Sequence, residues 1–118
     1  MRFLSLVRTQ EGGPRPSEKL MHDMGLLIGE MTAKGALVDT AGLYPTAEAF
    51  RMRNNHGKIS RTDGPFTEAK EVVGGYAILN ADSMEEAVAL TRKFLDVHGE
   101  EWNVECEVRQ IFDMDAGC

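Results

Sequence analysis

The chain has 118 residues, of which 42% are hydrophobic and 27% charged, and its formal net charge is −6. This length suffices for one domain, residues 1–118, with a core of its own. The negative charge argues against direct nucleic-acid binding, because nucleic-acid binders concentrate lysine and arginine against phosphates. No apolar run approaches the roughly 20 residues of a membrane span, and the amino terminus lacks the apolar segment of a signal peptide. We therefore expect a cytoplasmic protein without membrane contact.

The two cysteines, Cys106 and Cys118, form neither a metal-ligand spacing nor a disulfide framework, so we expect both to be reduced. The crowded set of potential metal ligands is His98 with Glu100 and Glu101, and it has no second histidine nearby. The sequence therefore predicts neither a metal nor an organic cofactor.

The first third of the chain predicts a strand followed by a helix. Residues 2–8 are mostly apolar, which is typical of a central strand. Ser17 is a good N-cap, and the helix that follows it ends at Gly35. Its apolar stripe consists of Leu20, Met24, Leu27, Ile28 and Met31.

The next segment predicts a hairpin. Residues 36–45 lead to a second strand at 49–53, and an Asn-Asn-His-Gly turn joins it to a third strand at 58–62. Arg53 and Arg61 come from these paired strands. The register decides whether one or both lie beside Asp63 or only on a solvated sheet face, and the sequence leaves the register open.

A stiff corner follows the hairpin at Asp63-Gly64-Pro65-Phe66. Gly64 is expected to supply unusual backbone dihedrals, and Pro65 fixes φ near −65°. Asp63 has two interpretations, because a carboxylate there either caps the free amides of the turn or also faces a ligand. Lys70 belongs to a compact charged cluster just after the corner and is a candidate ligand-binding residue.

The last third repeats the strand and helix pattern. Residues 72–80 predict a strand with a bulge at Gly74-Gly75, and a capping box from Ser83 to Glu86 begins the second helix. The helix is predicted to bury Met84, Ala87, Val88, Thr91, Phe94 and Leu95. Residues 105–112 predict a final strand, and the acidic tail at 113–115 is expected to fray.

His98 and Arg109 complete the candidate site residues. His98 continues the apolar stripe into the last turn of the second helix, where it is either a partly buried structural histidine or a proton carrier. Arg109 lies in the final strand, on the face shared with Glu105 and Glu107.

The order strand, helix, strand, strand, corner, strand, helix, strand predicts an α+β sandwich of ferredoxin-like type. Both helices would cover one face of a mostly antiparallel sheet. The other face stays open, and an exposed apolar face marks an interface. We therefore expect a homodimer built sheet to sheet.

The chain resembles the YCII-related proteins of the DGPF type. The residues that carry the resemblance are spread over nearly the whole chain: 1–3, 16–18, 34–38, 41–43 with Pro45, 63–71 with the Asp-Gly-Pro-Phe motif, 74–76 and 105–109. The pattern departs from the family at Gln110, where a proline is usual.

The resemblance implies a ferredoxin-like fold assembled as a dimeric α/β barrel, in small bacterial proteins whose biochemical roles are mostly undefined. Relatives in the wider group include a dehydrochlorinase thought to use a His-Asp pair, and some members look associated with sigma factors. The histidine of the first helix lies closer to the following glycine in that group than His22 does to Gly35. Asp63 is the residue that carries over.

Two hypotheses follow for the function. In the first, a cofactor-independent enzyme performs proton transfer or elimination on a small anionic molecule. Asp63 would be base or orienter, His98 the proton carrier, and Arg53, Arg61, Lys70 and Arg109 the ligand-binding residues. In the second, the chain is a non-catalytic ligand-binding or regulatory dimer, and the lack of a nucleophile motif or phosphate loop favours it.

Overall fold

The computed structural model describes residues 1–112. The helices and strands are β1 (Arg2–Thr9), α1 (Glu18–Ala33), β2 (Leu37–Gly42), β3 (Phe50–Asn55), β4 (Lys58–Asp63), β5 (Val72–Asn80), α2 (Met84–His98) and β6 (Glu105–Gln110). A single 3₁₀ turn, Thr46–Glu48, lies between β2 and β3. The predicted acidic tail and Cys118 lie outside the described residues.

The main sheet has four strands in the order β2-β5-β1-β6, and every neighbouring pair is antiparallel. The units β1-α1-β2 and β5-α2-β6 interleave, because β5 lies between β1 and β2, and β1 lies between β5 and β6. This is the split βαβ arrangement of the ferredoxin-like fold. The predicted α+β class is confirmed, and the described chain by itself is not a closed barrel.

The predicted strands at 49–53 and 58–62 are present as β3 and β4, but neither of them joins the main sheet. The strand that borders β5 is β2, whereas β3 and β4 pair with each other as a separate two-stranded sheet. In β2 Leu37 is buried while the remaining side chains are exposed, and the pairing with β5 shifts register between Leu37 and Asp39. An exposed edge strand with a bulge has no apolar alternation, so its sequence carries little strand signal.

Both helices begin where the sequence predicts, and α1 also ends there. The Ser17 hydroxyl accepts a hydrogen bond from the Leu20 amide, and the Ser83 hydroxyl accepts one from the Glu86 amide. Gly35 follows α1 with a φ of +75°, a conformation that glycine adopts without steric cost. In α1 the predicted stripe is confirmed: Leu20, Leu27 and Met31 are buried, and Met24 and Ile28 are half-buried.

In α2 the buried face is displaced from the predicted one. Ala87 is fully buried, and Leu90, Phe94 and Val97 pack against the core cluster. Met84 and Val88 are exposed instead, by 47% and 60%. They lie with Leu95 beside β6, along a groove on the flank of the helix rather than under it. Spacings of three and four residues fit both stripes, so periodicity alone could not choose between them.

The core lies between the helices and one face of the sheet. Phe3 of β1 is fully buried and packs in one cluster with Leu37, Leu79 and Ala87. The opposite sheet face has no helix over it among residues 1–112 and presents Leu4, Leu6 and Ile78, all half-buried. No helix within the described part of the chain is long and apolar enough to cross a membrane.

Candidate functional site

A cavity of about 260 Å³ separates the two helices from the covered face of the sheet. Its walls are mainly apolar side chains, among them Leu27, Ile28, Met31, Leu79, Leu90 and Phe94. Such a cavity holds a small organic molecule rather than a chain segment.

The glycine pair of β5 shapes one end of this cavity. Val7 pairs with Gly75, and Arg8 pairs with Val73, so Gly74 is an extra residue in β5. The predicted bulge is thereby confirmed. A side chain at Gly75 would also lie 2.9 Å from the carbonyl oxygen of Ala41, so the close approach of β2 to β5 requires glycine there.

The cavity has few polar groups. Its polar side chains include Ser5, Thr40, Thr91 and His98, and no lysine or arginine is among the described residues that line it. The Thr40 hydroxyl donates to the Tyr76 carbonyl over 2.9 Å, and the Thr91 hydroxyl donates to the Ala87 carbonyl over 2.8 Å. Both hydroxyl protons are therefore engaged by the backbone, which leaves His98 as the group best able to exchange a proton.

His98 is held at one end of the cavity by two contacts inside α2. Its Nδ1 lies 2.9 Å from the Phe94 carbonyl oxygen, and its ring meets the Phe94 ring edge-on, with 4.7 Å between centroids. A carbonyl oxygen only accepts hydrogen bonds, so Nδ1 is the atom that carries the proton. In the neutral ring the lone pair therefore lies on Nε2.

The same side chain also lines a groove on the outside of the molecule. That groove is formed by His98 with Glu71, Trp102, Asn103 and Glu105, among others. Because His98 borders both spaces, it stands between the cavity and the surface. A histidine in this position can exchange protons with a bound molecule on one side and with solvent on the other.

Ser5 and Cys106 lie on the same face of the sheet, in neighbouring strands. Ser5 is buried in β1, and Cys106 is half-buried in β6. Burial raises the pKa of the Cys106 thiol, and the nearby Ser5 hydroxyl opposes this only in part. The thiol is therefore protonated at neutral pH and a poor nucleophile.

The predicted partner of His98, Asp63, lies elsewhere. Asp63 ends β4 in the separate hairpin, and its carboxylate accepts a 2.7 Å hydrogen bond from Nε of Arg61. Both side chains are exposed. The hairpin register pairs Met52 with Arg61 and Phe50 with Asp63, so these four residues share one face. Arg53 pairs with Ser60 and points to the opposite face.

The other two predicted ligand-binding residues are also apart from the cavity. Lys70 is exposed in the segment before β5. Arg109 is exposed on β6, opposite Leu4, on the open face of the main sheet. Of the six predicted site residues, the structure brings Arg61 and Asp63 together and places His98 alone at the cavity.

Asp63 does not cap the corner amides as the sequence suggested. The Gly64 amide donates to the Ala49 carbonyl, and the Phe66 amide donates to the Thr46 hydroxyl. The φ angle of Gly64 is not positive, so the prediction that this glycine supplies unusual backbone dihedrals is wrong. The corner is instead built on the turn that contains Thr46, a residue that no pattern in the sequence singled out.

Glu11 is the second residue of the corner that the sequence analysis missed. Its two carboxylate oxygens each lie 2.7 Å from Thr46, one accepting from the amide and one from the hydroxyl. These bonds, the amide bond first, hold the pKa of Glu11 below its ordinary value. Because residues 35 positions apart make the contact, no local spacing could have indicated it.

No group of three or more His, Cys, Asp or Glu side chains within residues 1–112 could hold a metal ion. The chain is a ferredoxin-like α+β protein with a small, mainly apolar cavity under its helices and one histidine at the end of that cavity. The family model of the YCII-related domain matches residues 1–114, and the chain belongs to this family.

A relative from Rhizobium meliloti (strain 1021), described as an uncharacterised protein, is 32% identical over 75 residues. The match covers 64% of this chain, and it spans 60% of that relative's length. The family membership predicted from the sequence is confirmed, and the relative carries no assigned activity.

Proposed function

We propose that the chain binds a small, mostly apolar molecule in the cavity and that His98 exchanges a proton with it through Nε2, without a cofactor. The observation that carries this proposal is the hydrogen bond from Nδ1 to the Phe94 carbonyl. It fixes the ring so that the basic atom is the one not engaged by the helix. A base held in one tautomer and orientation is what general acid-base catalysis requires.

The lining of the cavity supports a specific kind of molecule. No lysine or arginine lies among its described lining residues, so a bound anion finds no cation there other than His98 once protonated. A neutral molecule with one acidic hydrogen fits better, because its loss of a proton creates the anion and the imidazolium together. The two opposite charges then stabilise each other in surroundings of low dielectric constant.

The test begins with native mass spectrometry of the protein released gently from its expression host, which detects a bound small molecule by its extra mass. The acidic hydrogen of that molecule is then followed by exchange in heavy water. His98→Gln should slow the exchange by about 100-fold or more, the range expected for loss of a general base. The matched control is His22→Gln, an exposed histidine on α1. Equal exchange rates in the two variants would contradict the proposal.

A second candidate function is a non-catalytic dimeric module, and the open sheet face favours it. Leu4, Leu6 and Ile78 are half-buried on that face, with no helix over them in the described part of the chain. Sheet-to-sheet packing of two copies would remove this apolar surface from water. Native mass spectrometry that shows a dimer without a bound small molecule, and the same spectrum for His98→Gln as for wild type, would favour this function over the first.

A further inference from the structure

Ser5 is a buried polar residue of the cavity that the proposed function does not use. It lies in β1, on the sheet face that the helices cover, and it is only 5% exposed. Its neighbours in the two adjoining strands are Ala77 and Val108, whose side chains have no hydrogen-bonding atom. The Cys106 thiol lies near the hydroxyl, but a thiol is a weak hydrogen-bond partner. The Ser5 hydroxyl therefore has no strong partner within the sheet.

The Ser5 hydroxyl faces the cavity. Among residues 1–112, every side-chain oxygen or nitrogen that is fully shut off from solvent has a hydrogen-bond partner. A hydroxyl without a strong partner must therefore border open space, and the space that Ser5 borders is the cavity. Burying such a hydroxyl lowers stability, a cost that proteins retain where the group serves a function.

The other polar side chains of the cavity are already engaged. The hydroxyls of Thr40 and Thr91 donate to backbone carbonyls, and the Tyr76 hydroxyl is bonded to a carboxylate that is not part of the lining. Among the described lining side chains this leaves two free polar atoms, the Ser5 hydroxyl as donor and Nε2 of His98 as base. A carbonyl compound matches both, because its oxygen accepts a hydrogen bond and the hydrogen on the neighbouring α-carbon is acidic.

We infer that the cavity binds a carbonyl compound with an acidic α-hydrogen and that Ser5 donates a hydrogen bond to its carbonyl oxygen. Nε2 of His98 takes the α-proton, the electron pair of the C–H bond moves toward the carbonyl carbon, and negative charge collects on the oxygen. The bond from Ser5 strengthens as this charge develops, which lowers the barrier. Return of the proton from Nε2 to carbon restores the carbonyl and the neutral ring. Because His98 takes the proton, this role of Ser5 rests on the proposed function.

The first test compares the binding of cyclohexanone and methylenecyclohexane, which have nearly the same shape, although only the ketone has an oxygen acceptor. NMR titrations of the full chain measure both affinities for wild type and for Ser5→Ala. The variant should bind cyclohexanone roughly fivefold more weakly, the effect of losing one hydrogen bond. Its affinity for methylenecyclohexane should stay within about twofold of wild type, which also shows that the variant keeps its fold and its cavity.

The second test follows the exchange of the α-hydrogens of cyclohexanone in heavy water. Ser5→Ala should slow the exchange that wild type catalyses by about 100-fold, the range for loss of one donor to a developing oxyanion. His98→Gln should slow it by a similar factor, as expected for loss of the base.

The outcomes distinguish Ser5 from His98. If His98→Gln slows the exchange and Ser5→Ala exchanges as fast as wild type, the role of Ser5 is wrong and that of His98 stands. Equal weakening of both probes by Ser5→Ala would also overturn the inference, because the serine would then shape the cavity without recognising a carbonyl oxygen. If wild type binds neither probe, or if both variants exchange at the wild-type rate, the proposed function fails as well.

Discussion

Gly64 lies where two segments of backbone come closest. A Cβ atom at this position would overlap the carbonyl oxygen of Thr46 and lie 2.7 Å from its carbonyl carbon. The Gly64 amide also donates to the Ala49 carbonyl over 2.8 Å. The glycine of the motif is thus required by close packing of the corner on the turn before β3.

Gly64→Ala should therefore lower the free energy of unfolding by about 3 kcal/mol or more, because backbone atoms must move to admit the methyl group. Urea unfolding followed by circular dichroism measures the change. The matched control is Gly29→Ala in α1, where an added Cβ meets nothing within 4 Å. The free energy of unfolding of that variant should rise by about 0.5–1 kcal/mol, because alanine has a higher helix propensity than glycine. If Gly64→Ala unfolds at the same urea concentration as wild type, the corner admits the methyl group without loss of stability, and the prediction is wrong.

Glu11 makes the stability of the same corner depend on pH. Its pKa is lowered from the ordinary value of 4.5, first by the bond from the Thr46 amide and then by the bond from the Thr46 hydroxyl. A carboxyl whose pKa is lower in the folded state stabilises the fold above its unfolded pKa. That stability is lost as the pH falls through the folded pKa.

We therefore expect Glu11→Gln to unfold at lower urea concentration than wild type at pH 7, and the difference to shrink as the pH falls below 4.5 toward the folded pKa. Urea midpoints at a series of pH values between 7 and 3 measure this. Glu48→Gln, an exposed carboxylate in the 3₁₀ turn, is the control for loss of a charge alone. A difference between wild type and Glu11→Gln that stays constant with pH would contradict the role of the ionised carboxylate.

At the scale of elements, the sequence predicts best where a local signal is complete. Ser17 and Ser83 cap the two helices as expected, because an N-cap and its amide partner lie three residues apart. One detail differs, since the Glu86 carboxylate accepts from the Asp82 amide rather than from that of Ser83. The hairpin turn is also local, and positive φ at His56 and Gly57 joins β3 to β4 as the residue types suggest.

The placement of the strands is a different matter, because it depends on contacts between distant residues. The alternation in β3 resembles that of a half-buried strand, yet its apolar face, with Phe50 and Met52, is exposed. Edge strand β2, which does join the main sheet, lacks such alternation. Binary patterning shows that a strand has an apolar face but not what covers it.

The candidate site shows the same difference between local sequence signals, which can be predicted, and contacts between distant residues, which cannot. The sequence placed His98 on the buried side of α2, and the structure puts it at the end of the cavity. Its separation from Asp63 could not be foreseen, because the hairpin that carries Asp63 leaves the sheet instead of joining it. Glu11 and Thr46 belong to no motif, and only the fold brings them together.

At the scale of the whole molecule, the open sheet face is the second apolar surface after the hairpin. Leu6 pairs with Tyr76 on one side and with Glu107 on the other, in the middle of this face. Charged and polar groups surround it: Arg8 is bonded to Glu107 over 3.2 Å, and the Tyr76 hydroxyl is bonded to Asp39 over 2.8 Å. An apolar centre with a polar rim is the anatomy of a protein interface.

A homodimer through this face predicts that thermal stability depends on protein concentration. A partner that binds the folded state alone stabilises it by mass action, so a tenfold rise in concentration should raise the Tm by about 3 °C. Leu6→Asp should abolish this dependence, because it buries an unpaired carboxylate in the contact. Leu26→Asp is the matched control, because it makes the same chemical change at a position away from the sheet. Leu26 lies on α1 and is 61% exposed. Differential scanning calorimetry over a hundredfold range of concentration measures both variants. If Leu6→Asp keeps the concentration dependence of wild type, the open face is not the dimer contact, and the sheet-to-sheet assembly is wrong.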